Sequence, residues 1–247
     1  MIRVCSGFSP AGYREYGRRF LDTFDKHWPA AVDLRVYVEE AVPMPRDACR
    51  MLWDIPGARA FYDRHANNAA AQGKVPQPGW KERERQKGYS FRHDAYKFFK
   101  QIFIPEAAAT DLADGDILVW LDADVVTFKD VPATMVPDLL GDADVCYLGR
   151  DRSHSEIGFW AVRINAKTHW FLTTIAEIYR SDMVFALAET HSAFVWDYAR
   201  RSACLRERNL TPGGHGHVWM QSPLRQWTDH LKGGRKGMGR SPERRVA

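Results

Sequence analysis

Two aspartates at the end of one short apolar run constrain this chain more than any other feature. The run is Ile117–Leu121, and Asp122-Ala123-Asp124 follows it directly. Five consecutive apolar residues read as a strand buried on both faces, as in a parallel sheet covered by helices. Open α/β sheets bind their ligands at the carboxyl ends of such strands. Residues two apart on an extended segment project the same way. Asp122 and Asp124 can therefore offer hard oxygen ligands to one divalent cation and leave room for phosphate oxygens. A strand end capped by solvated aspartates is the plainer alternative, because Asp-x-Asp is a short pattern.

The flanking pattern is α/β. Residues 2–8 are short and apolar and contain Ser6-Gly7, so they read as a first strand and turn. Residues 13–28 carry apolar or aromatic side chains at 13, 16, 20, 21, 24 and 28, a helical spacing that Pro29 ends. Residues 32–39 alternate apolar and polar, as a strand does. Strand, helix, strand predicts a right-handed βαβ unit and a mostly parallel central sheet flanked by helices. Further helices are expected at 58–71, 91–105, 131–140, 167–180 and 189–201, and strands at 142–148 and 158–165. Prolines and a charge run make residues 72–90 a mobile loop. The expected organisation is one Rossmann-like domain over 1–236 with a basic tail over 237–247.

Composition narrows the class. Hydrophobic content of 45% with 13% aromatics supplies a packed core and excludes a disordered chain. The four cysteines, Cys5, Cys49, Cys146 and Cys204, form no C-x-x-C pair, which suits a reducing compartment. No signal-peptide h-region and no apolar run of membrane-spanning length is present, so a cytoplasmic protein without a membrane span is expected. Of the net charge of +4, residues 81–100 contribute +4 and residues 232–247 contribute +5, leaving −5 on the remainder. Basicity in two segments fits anionic ligands, either diphosphates or nucleic acid. For the tail alone, a solvated solubilising segment fits as well.

A second motif lies far from the first: His230, Gly233 and Lys236 in the spacing His-x-x-Gly-x-x-Lys. His230 can supply a nitrogen ligand, Gly233 lets backbone approach a phosphate, and Lys236 can neutralise it. Arg92, Asp94 and Lys97 cluster near the start of the 91–105 helix, where a nucleotide phosphate would be held. A surface charge cluster explains them equally. The Gly-rich 213–217 stretch reads as a flexible loop.

A first βαβ unit, Leu-Asp-Ala-Asp after a strand, a later strand led by x-x-Gly-Phe and the terminal His-x-x-Gly-x-x-Lys together resemble glycosyltransferases of the GT-A fold. The terminal motif is similar to that of glycosyltransferase family 8. The resemblance implies that Asp122, Asp124 and His230 hold Mn²⁺ or Mg²⁺ and that Lys236 contacts the diphosphate of a nucleotide-sugar donor, with a UDP-sugar favoured. Ser6, Gly7, Arg92, Asp94, Lys97, Asp122 and Gly233 complete the expected donor-binding set. Here Gly237-Met238 follows the terminal motif where the family has Pro-Trp. Glu156 stands where the family has Asn before the strand glycine, and Glu189-Thr190-His191 only echoes an Asp-Gln-Asp. A carboxylate near the anomeric carbon can activate the acceptor or support an oxocarbenium-like state. Glu156 is the first such candidate, with Asp197 and Glu189 as alternatives. The acceptor is left open between a hydroxylated base in DNA, which the basic segments suit, and a glycan or small molecule. Two other classes are compatible with parts of the pattern. One is a haloacid-dehalogenase-like phosphatase with Asp122 as nucleophile. The other is a basic nucleic-acid-binding protein with a degenerate site, which would show salt-dependent binding without turnover.

Overall fold

In the computed structural model, which describes residues 1–44 and 48–243, the chain builds a seven-stranded sheet. Its order is β3-β2-β1-β4-β7-β6-β8, with β1 at Ile2–Phe8, β2 at Asp33–Val38, β3 at Cys49–Met51 and β4 at Ile117–Leu121. The remaining strands are β6 at Val145–Leu148, β7 at Glu156–Arg163 and β8 at Glu207–Asn209. Every pairing is parallel except those of β7, which runs against both β4 and β6. The architecture is α/β and Rossmann-like, with a mostly parallel central sheet flanked by helices. β1 lies between β2 and β4, so the chain leaves β1 towards one edge and later returns on its other side. That reversal opens a crevice beyond the carboxyl ends of β1 and β4.

Every residue of β4 is buried, and period-two projection assigns its side chains to two cores. Leu118 and Trp120 pack into one core with Phe61, Phe99, Phe103 and Tyr179. Ile117, Val119 and Leu121 pack into the other with Phe20, Phe24, Phe159 and Trp219. Asp122 is the first residue after this rigid rod. Its backbone N–H donates to Gly158 O at 2.8 Å, which ties the Asp-x-Asp turn to β7.

The helices differ in places from the sequence expectation. The expected 91–105 helix breaks at Asp94, whose side chain caps the next turn by accepting from Lys97 N at 2.9 Å. A helix then runs over Lys100–Ala109 with Pro105 inside it. Burial of Ile102, Phe103, Ala108 and Ala109 around the proline offsets a cost of roughly 3 kcal/mol for the missing N–H. Phe91, at the start of that range, is 45% exposed. The helix expected at 58–71 spans Pro56–His65.

The 72–90 segment is not a structureless loop. It contains the helix Glu82–Lys87, anchored by the buried Glu84. That carboxylate accepts from Arg92 Nη2 at 2.7 Å, from Ser90 Oγ at 3.0 Å and from Lys81 N at 2.7 Å. Its hydrogen bond from Arg92 holds it down at about 2.

A second, two-stranded sheet pairs β5, Val125–Thr127, with β9, Thr228–His230. Val125 lies opposite His230. Beyond β9 the chain does not leave the domain at residue 236. Ser241 is fully buried and clasps Asp229, its N–H donating at 2.7 Å and its hydroxyl at 2.6 Å. Of the basic tail, Arg244 and Arg245 lie outside the described residues. Among the described residues, no helix is long and apolar enough to cross a membrane.

Candidate active site

The β5–β9 ribbon places the two sequence motifs against each other. His230 Nε2 lies 2.9 Å from Asp124 Oδ1 and 3.5 Å from Asp122 Oδ2. The ring is fully buried, yet neither nitrogen has a well-formed hydrogen bond. The carboxylates sit beside the direction in which Nε2 would donate, as neighbouring ligands of one ion do. A buried imidazole without a hydrogen bond, aimed between two carboxylates, fits a divalent cation held by one nitrogen and two oxygens.

Other groups fix each ligand. Asp122 Oδ1 accepts from Trp120 Nε1 at 2.8 Å and Gln101 Nε2 at 2.9 Å, which turns Oδ2 towards His230. Leu231 N donates to Asp124 O at 3.0 Å and continues the ribbon. Gly158 lies directly against the imidazole, where an added Cβ would come within 2.4 Å of His230 Cε1. Burial pushes the His230 pKa down, but Asp124 and Asp122 overcome it and raise it to about 9. Burial pushes the Asp124 carboxyl up, and His230 with Lys236 and Lys232 brings it below its ordinary value.

Around this trio opens a cavity of about 1190 Å³. Lys236 lines it with Nζ 3.4 Å from Asp124 Oδ2 and 4.2 Å from the Tyr16 ring centroid. Gly233 also lines it, in a left-handed conformation at φ 59° that favours glycine. Gly7, Arg92 and Lys97 are on its wall. Ser6 is buried and donates to Leu121 O at 2.6 Å, and Asp94 serves as a helix cap; neither is part of the cavity wall.

The three carboxylates singled out for catalysis have different surroundings. Glu156 reaches the cavity but is 2% exposed. Lys232 Nζ bonds both of its oxygens at 2.6 Å, and Arg150 pairs with it as well. Burial pushes its pKa up, and Lys232, His230 and Arg150 pull it down to about 2. Asp197 lies behind the wall, accepting from Ser155 N at 2.8 Å, Ser155 Oγ at 2.7 Å and Arg200 Nη2 at 3.1 Å. Glu189 lines the cavity between Arg92 Nη1 at 2.9 Å and His191 Nε2 at 2.9 Å. His154 Nε2 lies 3.3 Å from the same Glu189 oxygen that His191 meets. The donor atoms of His154, Glu189 and His191 lie within 4.8 Å of one another, as do those of Asp122, Asp124 and His230.

Sequence reasoning missed Lys232, Arg150, Gln101, Trp120 and His154. Lys232 sits inside the terminal motif and alternates with His230, a usable signal. Nothing local marks the other four.

No family model matches the sequence, and no curated protein matches it. Among solved structures, the chain is similar to a crystal structure of a glycosyltransferase involved in the glycosylation of the major capsid of PBCV-1. That match covers 96% of this chain and 98% of the other at 13% identity, with a TM-score of 0.48. It is also similar to the crystal structure of the glycosyltransferase GlyE in Streptococcus pneumoniae TIGR4. There it covers 84% of this chain and 44% of the other at 12% identity, with a TM-score of 0.42.

Proposed function

We propose that the chain is a metal-dependent glycosyltransferase of the GT-A type. It takes a sugar from a nucleotide-sugar donor, in the first instance a UDP-sugar, and passes it to an acceptor hydroxyl on a glycan or on a base in DNA. The observation that carries this reading is the buried His230, poised without a hydrogen bond between Asp122 and Asp124, with Lys236 beside them at the mouth of a cavity.

Asp122, Asp124 and His230 would hold Mn²⁺ or Mg²⁺, which as a Lewis acid offsets charge growing on a leaving diphosphate. Lys236, held over Tyr16, supplies a second positive charge to the same oxygens, and Gly233 lets backbone come close. Arg92 and Lys97 extend the positive wall. Glu156, neutralised by Lys232 and Arg150, positions Lys232 rather than acting as a free base. Asp197 holds the loop that carries His154 and Ser155. Glu189 faces the acceptor side.

A panel of UDP-sugars assayed with Mn²⁺, with Mg²⁺ and after chelation tests the reading. Turnover should require the ion, and full activity in the metal-stripped protein would remove it. The proton on His230 sets a pH signature. Its pKa is raised from 6.5 to about 9, so its attraction to the aspartates stabilises the metal-free fold fully below 6.5. That contribution is lost as pH rises through 9. A cation must displace this proton, so apparent Mn²⁺ affinity should climb by about tenfold per pH unit between those values and level off above them. Calorimetry across the range checks the slope; a flat profile would mean His230 is not a ligand.

A further inference from the structure

We propose that the acceptor is an acidic saccharide, whose carboxylate or phosphate is received by Lys81, Arg83 and Arg201 on the cavity wall. The proposal deepens the sugar-transfer reading and rests on it.

The cavity holds more positive charge than a donor and its ion can use. Ten lysine and arginine side chains line it against four carboxylates, with histidine counted as neutral. Carboxylates outside the wall take up three of the ten. Lys100 pairs with Glu39, Arg92 with Glu84 at 2.7 Å, and Arg152 has Asp151 at 3.8 Å. Seven against four leaves an excess of three positive charges. The diphosphate of a nucleotide sugar is a dianion and the divalent ion that bridges it a dication, so a loaded donor site leaves the excess unchanged. A concave wall of one sign focuses its field and draws in the opposite charge. The acceptor is the component left to bring it.

Lys81, Arg83 and Arg201 are exposed and line the cavity, and none makes an ion pair among the described residues. Their backbones are nevertheless fixed. Arg83 precedes the buried Glu84 in the helix Glu82–Lys87. Arg201 follows the buried Arg200, which pairs with Asp197 at 3.1 Å and with Glu207. Arg92 joins the two sides, with Nη2 on Glu84 at 2.7 Å and Nη1 on Glu189 at 2.9 Å. The segment with Lys81 and Arg83 is thus tied to the start of the helix Ser192–Ser202 that carries Arg201. A guanidinium on such a fixed backbone suits two-pronged capture of a carboxylate or phosphate. The neighbouring wall suits a sugar ring. Phe91, 45% exposed, lines the cavity with its ring centroid 5.7 Å from that of His191, and Phe98 lines it as well. The cavity of about 1190 Å³ exceeds the roughly 300–1,000 Å³ of a pocket for one small ligand, so an acceptor has room beside the donor. A polynucleotide needs cations strung along a groove several nucleotides long; here they converge on one concavity.

Calorimetry on the protein loaded with UDP and Mn²⁺ reads the charge preference. Hyaluronan hexasaccharide is compared with neutral maltohexaose, glucose 6-phosphate with glucose, and a DNA hexanucleotide with both acidic sugars. At least one acidic sugar should bind about tenfold or more tightly than its neutral counterpart, and which one does so tells carboxylate from phosphate. The advantage should shrink as salt rises. Arg83→Gln combined with Arg201→Gln should cut it by about tenfold while UDP affinity stays parental. Arg85→Gln combined with Lys87→Gln removes two charges from the helix of Arg83 but outside the cavity wall, and should leave the advantage unchanged. Equal binding of acidic and neutral sugars, or no binding of either, overturns the proposal. So does tighter binding of the DNA than of either acidic sugar, parental affinity in the Arg83 and Arg201 variant, or an equal loss in the Arg85 and Lys87 variant. Each of these leaves the nucleotide-sugar reading standing, whereas failure of the parent protein to bind UDP with Mn²⁺ removes both.

Discussion

Asp124→Ala abolishes metal-dependent turnover of nucleotide sugars and leaves the sheet intact: this is the largest effect expected of any single substitution. Asp124 is the nearest anion to His230, at 2.9 Å, and a partner of Lys236, at 3.4 Å. In the proposed reading its removal takes one of three metal ligands and releases the lysine that would face the diphosphate. Loss of a group that merely supports a ligand already costs about 10–100-fold in metal affinity, so loss of a ligand costs at least the upper end. Removing a single electrostatic stabiliser of a transition state costs about 10²–10³ in rate. Together these put the variant near background even in excess Mn²⁺. The sheet tolerates the change, because Asp124 lies beyond the end of β4 and outside both cores. Circular dichroism should match the parent and the metal-free melt should fall modestly near neutral pH, where the attraction between His230 and Asp124 is lost, while turnover disappears; parental turnover would show that the pair is only a capped strand end.

Gly158→Ala produces the second largest effect, through space rather than charge. The new methyl group would lie 2.4 Å from His230 Cε1, 2.9 Å from Nδ1 and 3.2 Å from Asp122 Oδ2. The ring cannot retreat, since it is fully buried and packs on Trp219 with centroids 4.9 Å apart. Gly158 cannot retreat either, because its carbonyl accepts from Asp122 N in the centre of the sheet. Overpacking of this kind costs about 1–3 kcal/mol, and the displaced imidazole should lose its alignment with both aspartates. The urea midpoint should fall and Mn²⁺ affinity should drop by about 100-fold. An alanine variant with parental metal affinity would show that His230 has room to move.

Both variants act on the part of the site that the sequence already outlined. β4 was legible because a run of five apolar residues has few alternatives in an α/β chain, but the extended projection expected for Asp122 and Asp124 gives way to a turn, closed by Val125 N donating to Asp122 O at 3.0 Å. Strand β1, the following helix and β2 were legible for the same reason. His230 was named through its spacing to Gly233 and Lys236, but its burial was not readable from one strand of three residues; it comes from pairing with β5 across 105 positions of sequence. Glu156 shows the opposite limit. Its residue type and its place before the strand glycine marked it as a catalytic carboxylate, but type says nothing about partners, and Lys232 and Arg150 neutralise it. The contacts of His191 were not readable either: Glu189 lies two residues away, but Arg92, which holds that glutamate, lies ninety-seven residues from it. Likewise, Ser241 and Asp229 could not be paired from sequence, and a basic composition gave no warning that part of the tail is a clasp.

That clasp and the ribbon it secures make loss of the site and unfolding of the protein separable events. β9 contributes three residues, pairs only with the equally short β5 among the described residues, and shares no ladder with the seven-stranded sheet. Detaching β9 would expose few backbone bonds and uncover Trp219 while leaving the core around Phe61 and Trp120 closed, so it should open at lower free energy than the domain as a whole. Amide hydrogens of β9 should exchange ahead of those of β4. On heating, the metal-free protein should lose its capacity to bind Mn²⁺ before its sheet melts. Bound ion should slow exchange in the ribbon first, by an amount that grows with its concentration over its dissociation constant.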